Sequence, residues 1–179
     1  MSNHSSPGRP APGTFSEYFR KYIDLVPDGD ITATLNTQEG TMANYFSTLS
    51  ESNWNVSYAP GKWTIKQSLL HIIDVERVMT YRALAISRGD QTPLPGFDQN
   101  LYAELGPVNH RSGASLIREY RMVRKASMSL FENMTLRDFN RLGTASKKPA
   151  TPLAIAYIIG GHELHHLRIL QEKYAPLFT

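Results

Sequence analysis

The sequence feature that most constrains the fold is a pair of histidines, His162 and His166, in an isoleucine-rich segment. On an α-helix of about 3.6 residues per turn, a spacing of four puts both imidazoles on one face, one turn apart. Two neutral ring nitrogens placed in this way can reach one divalent cation at about 2.0–2.1 Å. The other residues on this face are apolar, which predicts that it is buried: Ile155, Ile158, Ile159 and Ile169. The pattern therefore predicts a helix that presents two metal ligands to the interior of the protein.

A third histidine, His71, lies in another apolar helical segment. Alone, such a residue is more often a hydrogen-bonded core histidine than a ligand. Burial of His162 and His166 without partners would leave polar nitrogens unmet, however, and a metal ion would remove that cost. Three histidines with an open position form the pattern of a catalytic site rather than of a closed structural one. Two alternatives stay open at this point: a hydrogen-bonded or protonated histidine cluster without metal, and His165 in place of His166, since helix geometry alone does not choose between them.

Apolar residues recur at helical spacing along most of the chain and predict an all-α protein. A short leader helix is expected to begin near Phe15 and to end before Pro27. Four longer helices are expected from Ile31 to about Ser50, from Ile65 to near Gly89, from Gly113 to about Met134 and from Pro152 to about Tyr174. No run alternates long enough to be a convincing strand. The prediction is a four-helix bundle that forms one domain, residues 15–179, after a disordered tail, residues 1–14.

Composition excludes several classes of function. The net charge is only +3, from 19 Lys and Arg against 16 Asp and Glu, and the basic residues are scattered, so we expect no nucleic-acid partner. The sequence contains no cysteine, which excludes disulfides, thiolate ligands and a cysteine nucleophile and fits a cytoplasmic location. No stretch approaches the roughly 20 apolar residues that span a bilayer, and the segment Met1–Gly13 has no apolar core typical of a secretory signal. We therefore expect no membrane partner either.

The last helix also matches the H-E-x-x-H pattern of zinc peptidases, in which Glu163 would act as the general base. That mechanism needs a third ligand downstream, yet only 13 residues follow His166 and the sole acid among them is Glu172. The sequence also offers no evident edge strand to hold an extended peptide. A peptidase is therefore the less favoured interpretation. Glu163 stays a candidate catalytic base, with a solvated position on the outer face as its alternative.

Two segments that contain these histidines resemble the DinB-like (damage-inducible) metal-binding superfamily. The segment Tyr58–Arg77, with Gly-Lys-Trp-Thr at positions 61–64 and His71 near its end, resembles the second-helix signature of that family. The segment Gly161–Leu170 is similar to its last-helix signature, and Phe97–Asn100 looks like its inter-helix loop. The resemblance extends from about position 31 to position 174, and residues 7–26 lie outside it.

This resemblance implies a four-helix bundle of up-down-down-up type with one divalent metal ion per chain, nickel or zinc, bound by His71, His162 and His166. It also implies a homodimer. Several relatives are metal-dependent hydrolases or thiol transferases that act on low-molecular-weight thiols, so the expected partner is a small-molecule substrate. The fold and the site transfer within such a family better than the reaction does.

Two functions of different classes follow from the sequence. The first is a metal-dependent hydrolase or transferase, in which Glu163 is a candidate base and the long 90–111 connection is a candidate cover for the pocket. The second is a non-catalytic metal-binding or dimerisation module. The two hypotheses differ at the metal, because a catalyst needs an open position there whereas a structural site is closed by a fourth protein ligand.

Overall fold

The computed structural model of the chain describes residues 7–178 and contains the expected helices. In chain order they are α1 (Arg20–Ile23), α2 (Ile31–Ser47), α3 (Ile65–Ser87), α4 (Gln99–Leu105), α5 (Gly113–Phe131), α6 (Leu136–Phe139) and α7 (Pro152–Ile169). Single 3₁₀ turns occupy Glu17–Phe19 and Asn53–Asn55, and α7 continues as a π-helical turn, Leu170–Tyr174, and a 3₁₀ turn, Ala175–Leu177. The long helices α2, α3, α5 and α7 confirm the prediction of an all-α bundle.

Capping residues explain where the long helices begin. The side chain of Asp30 accepts a hydrogen bond from a backbone N–H in the first turn of α2. Thr64 and Gln67 form the reciprocal capping box of α3, in which each side chain bonds the other residue's backbone N–H. Thr151 caps α7, and Pro152 fills its first position, where no backbone N–H is needed. The starts of these helices are therefore determined locally by the sequence.

Contacts between the long helices fix their directions. Residue numbers run in opposite senses where α2 meets α5 and where α3 meets α7, but in the same sense where α3 meets α5. Between α2 and α5 the contacting pairs are Glu39–Arg121 and Leu35–Arg124. Between α3 and α5 they are Arg77–Glu119 and Thr80–Ser127. Between α3 and α7, His71 contacts His162, and Met79 and Ile155 line the same cavity. The order is therefore up-down-down-up, as the family resemblance implies, and α3 and α7 are antiparallel neighbours.

A short β-hairpin in the connection before α7 is absent from the sequence prediction. Strands β1 (Gly143–Ala145) and β2 (Lys148–Ala150) pair antiparallel, and Leu94 forms a parallel bridge to Ala145. The turn residues Ser146 and Lys147 both have positive φ, 52° and 63°. Glycine and asparagine are the usual residues in such turns, and strands of three residues are too short to show alternation, so the sequence gives little sign of this hairpin.

Part of the segment predicted as a disordered tail, residues 1–14, is described by the structure. Residues 1–6 lie outside the described part. Residues 7–14 form no helix or strand, but Arg9 donates hydrogen bonds to the carbonyls of Ile23 and Val26, at 2.8 and 2.9 Å, and pairs with Asp28. This segment is therefore in contact with the bundle before the predicted start at Phe15.

Two apolar clusters fill the bundle, and the polar residues of α7 lie between them. Along α7 the first cluster ends at Ile159 and the second begins at Leu167. The segment 162–166, with its three histidines and one glutamate, occupies the interval. Among residues 7–178, no helix combines the length and the apolar character that a membrane span requires.

Candidate metal centre

Three imidazoles converge between α3 and α7. His71 Nε2 and His162 Nε2 are 3.0 Å apart, and His166 Nε2 lies 3.1 Å from His162 Nε2. One ring nitrogen from each residue lies within 4.8 Å of the others. His71 and His162 are 4% and 6% exposed, and His166 is half-buried. The structure thus brings together the three residues that the sequence predicts as ligands.

The spacing of these nitrogens fits a shared cation better than a set of hydrogen bonds. His162 Nε2 faces both other rings, yet one ring nitrogen either donates a single proton or accepts through a single in-plane lone pair. Two nitrogens bonded to one metal at about 2.1 Å, with an angle of about 90–110°, would be about 3.0–3.4 Å apart. The two short distances, 3.0 and 3.1 Å, lie in that range. Imidazole donors suit zinc, nickel and other late transition metals.

Burial keeps these histidines neutral. It lowers the pKa of His71 to about 4, and burial together with repulsion from His71 and His165 lowers the pKa of His166 to about 3. The pKa of His162 falls well below its ordinary value, first because of burial and then because of the neighbouring imidazoles. A neutral imidazole has a free lone pair, so at neutral pH all three residues are in the protonation state that a metal requires.

Aromatic residues from two other segments hold the imidazoles in place. The ring of Trp63, just before α3, is 4.7 Å from the ring of His71. The Tyr22 ring of α1 meets His162 edge-on at 5.5 Å. Gly161 permits this approach, because a Cβ there would lie 1.9 Å from the Tyr22 carbonyl oxygen. The leader helix is therefore part of the wall of the site.

His165 lies outside the cluster. Its ring packs edge-on against Tyr22 at a centroid distance of 5.3 Å, and it is not one of the residues whose ring nitrogens lie within 4.8 Å of one another. The structure therefore places the ring of His166, and not that of His165, beside His71 and His162.

Glu163 is buried in a separate ionic cluster. Its Oε2 accepts hydrogen bonds from the Tyr120 hydroxyl and from Arg124 Nη2, both at 2.7 Å. Arg124 in turn pairs with both oxygens of Glu76 at 2.9 Å and donates to the Leu35 carbonyl at 2.8 Å. We call Glu76, Tyr120, Arg124 and Glu163 the ionic cluster. It joins α3, α5 and α7 to the backbone of α2.

This placement bears on the two interpretations of Glu163. Glu163 is 1% exposed, so the alternative of a solvated position is wrong. Burial raises the pKa of its carboxyl to about 7, against the opposing effect of Arg124. Its Oε1 is buried with no hydrogen-bond partner in the described part of the chain. Its role as a catalytic base stays a prediction.

Sequence reasoning missed the other members of the ionic cluster, although one signal was present. Arg124 is a charged residue at a position where the apolar face of α5 continues, after Leu116 and Tyr120 and before Met128. A charge at such a position indicates a buried ion pair, because isolated buried charges are rare. The sequence does not say which carboxylates meet it.

A pocket of about 270 Å³ reaches the histidine cluster from one side. His166 is in its wall, together with the aromatic residues Tyr58, Trp63 and Tyr174 and the polar residues Lys62, Ser68 and Asn100. Asn100 belongs to α4, which is held to α3 by a hydrogen bond of 3.3 Å from Gln67 Nε2 to the Ala103 carbonyl. The 90–111 connection thus contributes one residue, Asn100, to the wall of this pocket.

Comparisons with known proteins agree with this architecture. The chain is similar over 98% of its length, and over 98% of the other chain, to the structure of YfiT from Bacillus subtilis, with a TM-score of 0.67 and 19% sequence identity. YfiT is described as a probable metal-dependent hydrolase with an unusual four-helix bundle topology. At this identity the likeness establishes the fold. Comparison with curated proteins gives no significant match. The sequence profile of the DinB superfamily matches residues 34–170, more than half of the sequence, and the chain therefore belongs to the DinB superfamily.

Proposed function

We propose that this protein is a metal-dependent hydrolase of small molecules, with one divalent ion bound by His71, His162 and His166. The observation that carries the proposal is the convergence of three neutral imidazoles beside a pocket. A divalent ion in such a set would supply Lewis acidity and would lower the pKa of a water molecule toward about 7. The structurally similar protein YfiT is described as a probable metal-dependent hydrolase, and this likeness supports the same class of reaction here.

The ligand count favours an open site. Within residues 7–178, no carboxylate or further histidine joins the three imidazoles to complete a fourth protein ligand. A closed structural site would have four. This favours the catalytic hypothesis over a module whose metal only stabilises the fold.

The residues of the pocket would bind and orient the substrate. Tyr58 and Trp63 offer apolar ring surfaces, while Ser68 and Asn100 offer hydrogen-bonding groups. Such a mixture of apolar walls and few polar groups is typical of small-molecule sites. Lys62, at the exposed edge, would favour a substrate that carries negative charge.

The contacts of Glu163 argue against the peptidase alternative. That mechanism needs a carboxylate free to accept a proton at the metal. Here Glu163 Oε2 already accepts from Tyr120 and Arg124, and neither carboxylate oxygen belongs to the group of atoms that converges between the three imidazoles. Thiol transfer, a nickel or zinc ion as the native metal, a homodimer and a cytoplasmic location stay predictions.

Metal content tests the proposed site. The purified wild type is expected to contain close to one divalent ion per chain by elemental analysis, and His71→Ala and His162→Ala are expected to contain almost none. His165→Ala is the matched control, because its imidazole lies in the same turn but outside the cluster, and it should retain the ion. Unchanged metal content in both ligand variants would refute the site.

A second measurement separates a catalyst from a structural site. In protein loaded with cobalt(II), azide should change the visible spectrum if an exchangeable position exists. Hydrolysis of 4-nitrophenyl acetate should be lost on chelation and in His162→Ala, and should persist in His165→Ala. A spectrum unaffected by azide, together with no metal-dependent hydrolysis, would favour the non-catalytic module.

A further inference from the structure

Arg82 of α3 is a buried cation that has no carboxylate partner among residues 7–178. Arg82 is only 4% exposed. Its Nη2 donates to the Pro95 carbonyl at 2.7 Å and to Ser146 Oγ at 3.1 Å, and its Nη1 lies 3.5 Å from the sulfur of Met79. No acidic residue in the described chain forms an ion pair with it.

The contrast with Arg124 shows why this matters. Both guanidinium groups are buried, but Arg124 is paired with two carboxylates. A buried charge that lacks a counter-charge is costly, and hydrogen bonds to neutral oxygens compensate for it only in part. Burial accordingly lowers the pKa of Arg82. An anion bound beside Arg82 would therefore compensate its buried positive charge.

The side chain of Arg82 lines a cavity of about 220 Å³ between the leader, the hairpin, α3 and α7. Ser146 and Lys148 of the hairpin are exposed members of its wall and add a hydroxyl and an ammonium group. The other walls are largely apolar and include Phe19, Met79 and Ile158. A cationic end joined to an apolar interior matches a ligand with a charged head and an apolar body.

We propose that this cavity binds a small monocarboxylate, with its carboxylate at Arg82 and Lys148 and its apolar part against Phe19, Met79 and Ile158. A guanidinium suits a carboxylate because hydrogen bonds between ionised partners are shorter and about twice as strong as those between neutral groups. The volume is below the roughly 300–1,000 Å³ of sites for drug-sized ligands, so the acid is a small one. None of the three clustered histidines lines the cavity, and the inference is independent of the proposed reaction.

Titration of the wild-type protein with hexanoate, observed through the methyl signal of Met79 in methionine-labelled protein, tests this site. Hexanoate should shift that signal in a saturable way. Hexanamide, which has the same length but no charge, should bind at least about tenfold more weakly, as expected for the loss of a charge-assisted hydrogen bond. An unmoved Met79 signal with millimolar hexanoate, or equal affinity for hexanamide, would overturn the proposal.

Variants locate the carboxylate. Arg82→Met should raise the Kd for hexanoate by at least about tenfold, since it removes the buried charge and keeps the aliphatic stem. Because Arg82 also bonds Pro95 and Ser146, a second pair of variants guards against misfolding. Lys148→Met should weaken binding by about threefold, whereas Lys147→Met, on the adjacent turn residue outside the cavity wall, should leave it unchanged. Equal affinities in the two lysine variants and an unaffected Arg82→Met would refute the assignment.

Discussion

Two polar clusters are buried side by side in this bundle, and adjacent residues of α7 belong to each. His162 belongs to the histidine cluster, and Glu163 belongs to the ionic cluster. The ionic cluster contains donors and acceptors of opposite charge and is almost complete without any ligand. The histidine cluster offers three lone pairs to one point and lacks a cationic partner among the described residues.

The difference shows how a buried polar group can be assigned a role. A cluster whose members compensate one another's charges can hold the fold together, because its internal ion pairs and hydrogen bonds offset the cost of burial. A cluster of like donors is left incomplete by the chain and points to an external partner. By this criterion the histidine cluster has the character expected of the proposed metal site, whereas the ionic cluster is part of the scaffold that holds α3, α5 and α7 together.

The largest expected effect comes from opening the ionic cluster. Arg124→Met should reduce the free energy of unfolding by about 3–5 kcal/mol, because it leaves two carboxylates buried without their cation. Arg118→Met makes the same change at an exposed position of α5 and should alter stability by less than about 0.5 kcal/mol. Urea unfolding of both variants measures the difference. Equal stability of the two would show that the ionic cluster contributes little to the scaffold.

A smaller effect is expected where the leader helix meets the histidine cluster. Gly161→Ala should cost about 2 kcal/mol and weaken zinc binding, because the new Cβ would meet the Tyr22 backbone at 1.9 Å and displace the ring that packs on His162. Gly160→Ala is the matched control, since the nearest neighbours of its Cβ would be side-chain atoms of Gln38, Leu35 and Val26, at 3.3, 3.4 and 3.6 Å, rather than backbone atoms. Urea unfolding and competition with a zinc chelator measure the two quantities. A Gly161→Ala protein as stable and as zinc-avid as Gly160→Ala would contradict the packing described for α1.

The smallest expected effect is the pH dependence of the metal-free protein. The folded-state pKa of His71 is lowered to about 4, so the folded protein keeps this residue neutral while the unfolded chain takes up a proton below about pH 6.5. Its contribution to stability is therefore present above pH 6.5 and is lost as the pH falls from 6.5 toward 4. Between pH 7 and 5.5 the wild type should lose about 1.2 kcal/mol more than His71→Gln.

The comparison of these two proteins reports on His71, because Glu163 is common to both and because burial keeps His162 and His166 neutral in the folded protein between pH 5.5 and 7. Urea unfolding in the presence of a chelator at the two pH values gives the measurement. Parallel losses of stability in wild type and His71→Gln would mean that the imidazole is solvated rather than buried.

Much of the fold and the core of the site follow from local sequence. The capping box at Thr64 and Gln67 fixes the start of α3, and the four-residue spacing of His162 and His166 fixes their common face. The contacts between residues that are far apart in the sequence cannot be predicted from local sequence in this way. Arg124 and Glu163 are 39 positions apart, and nothing in either segment says that α5 and α7 face each other through these side chains. The hairpin turn places Ser146 and Lys147 at positive φ, a backbone conformation that neither residue type predicts.

The histidine cluster joins segments that are made at very different times. His71 and His162 are separated by 91 positions, so a nascent chain that has completed α3 has only one of the three imidazoles. The chelating set comes into existence only after α7 has been synthesised and has docked antiparallel to α3. Binding of the proposed metal ion by all three imidazoles would therefore be restricted to chains in which α7 has already packed against α3.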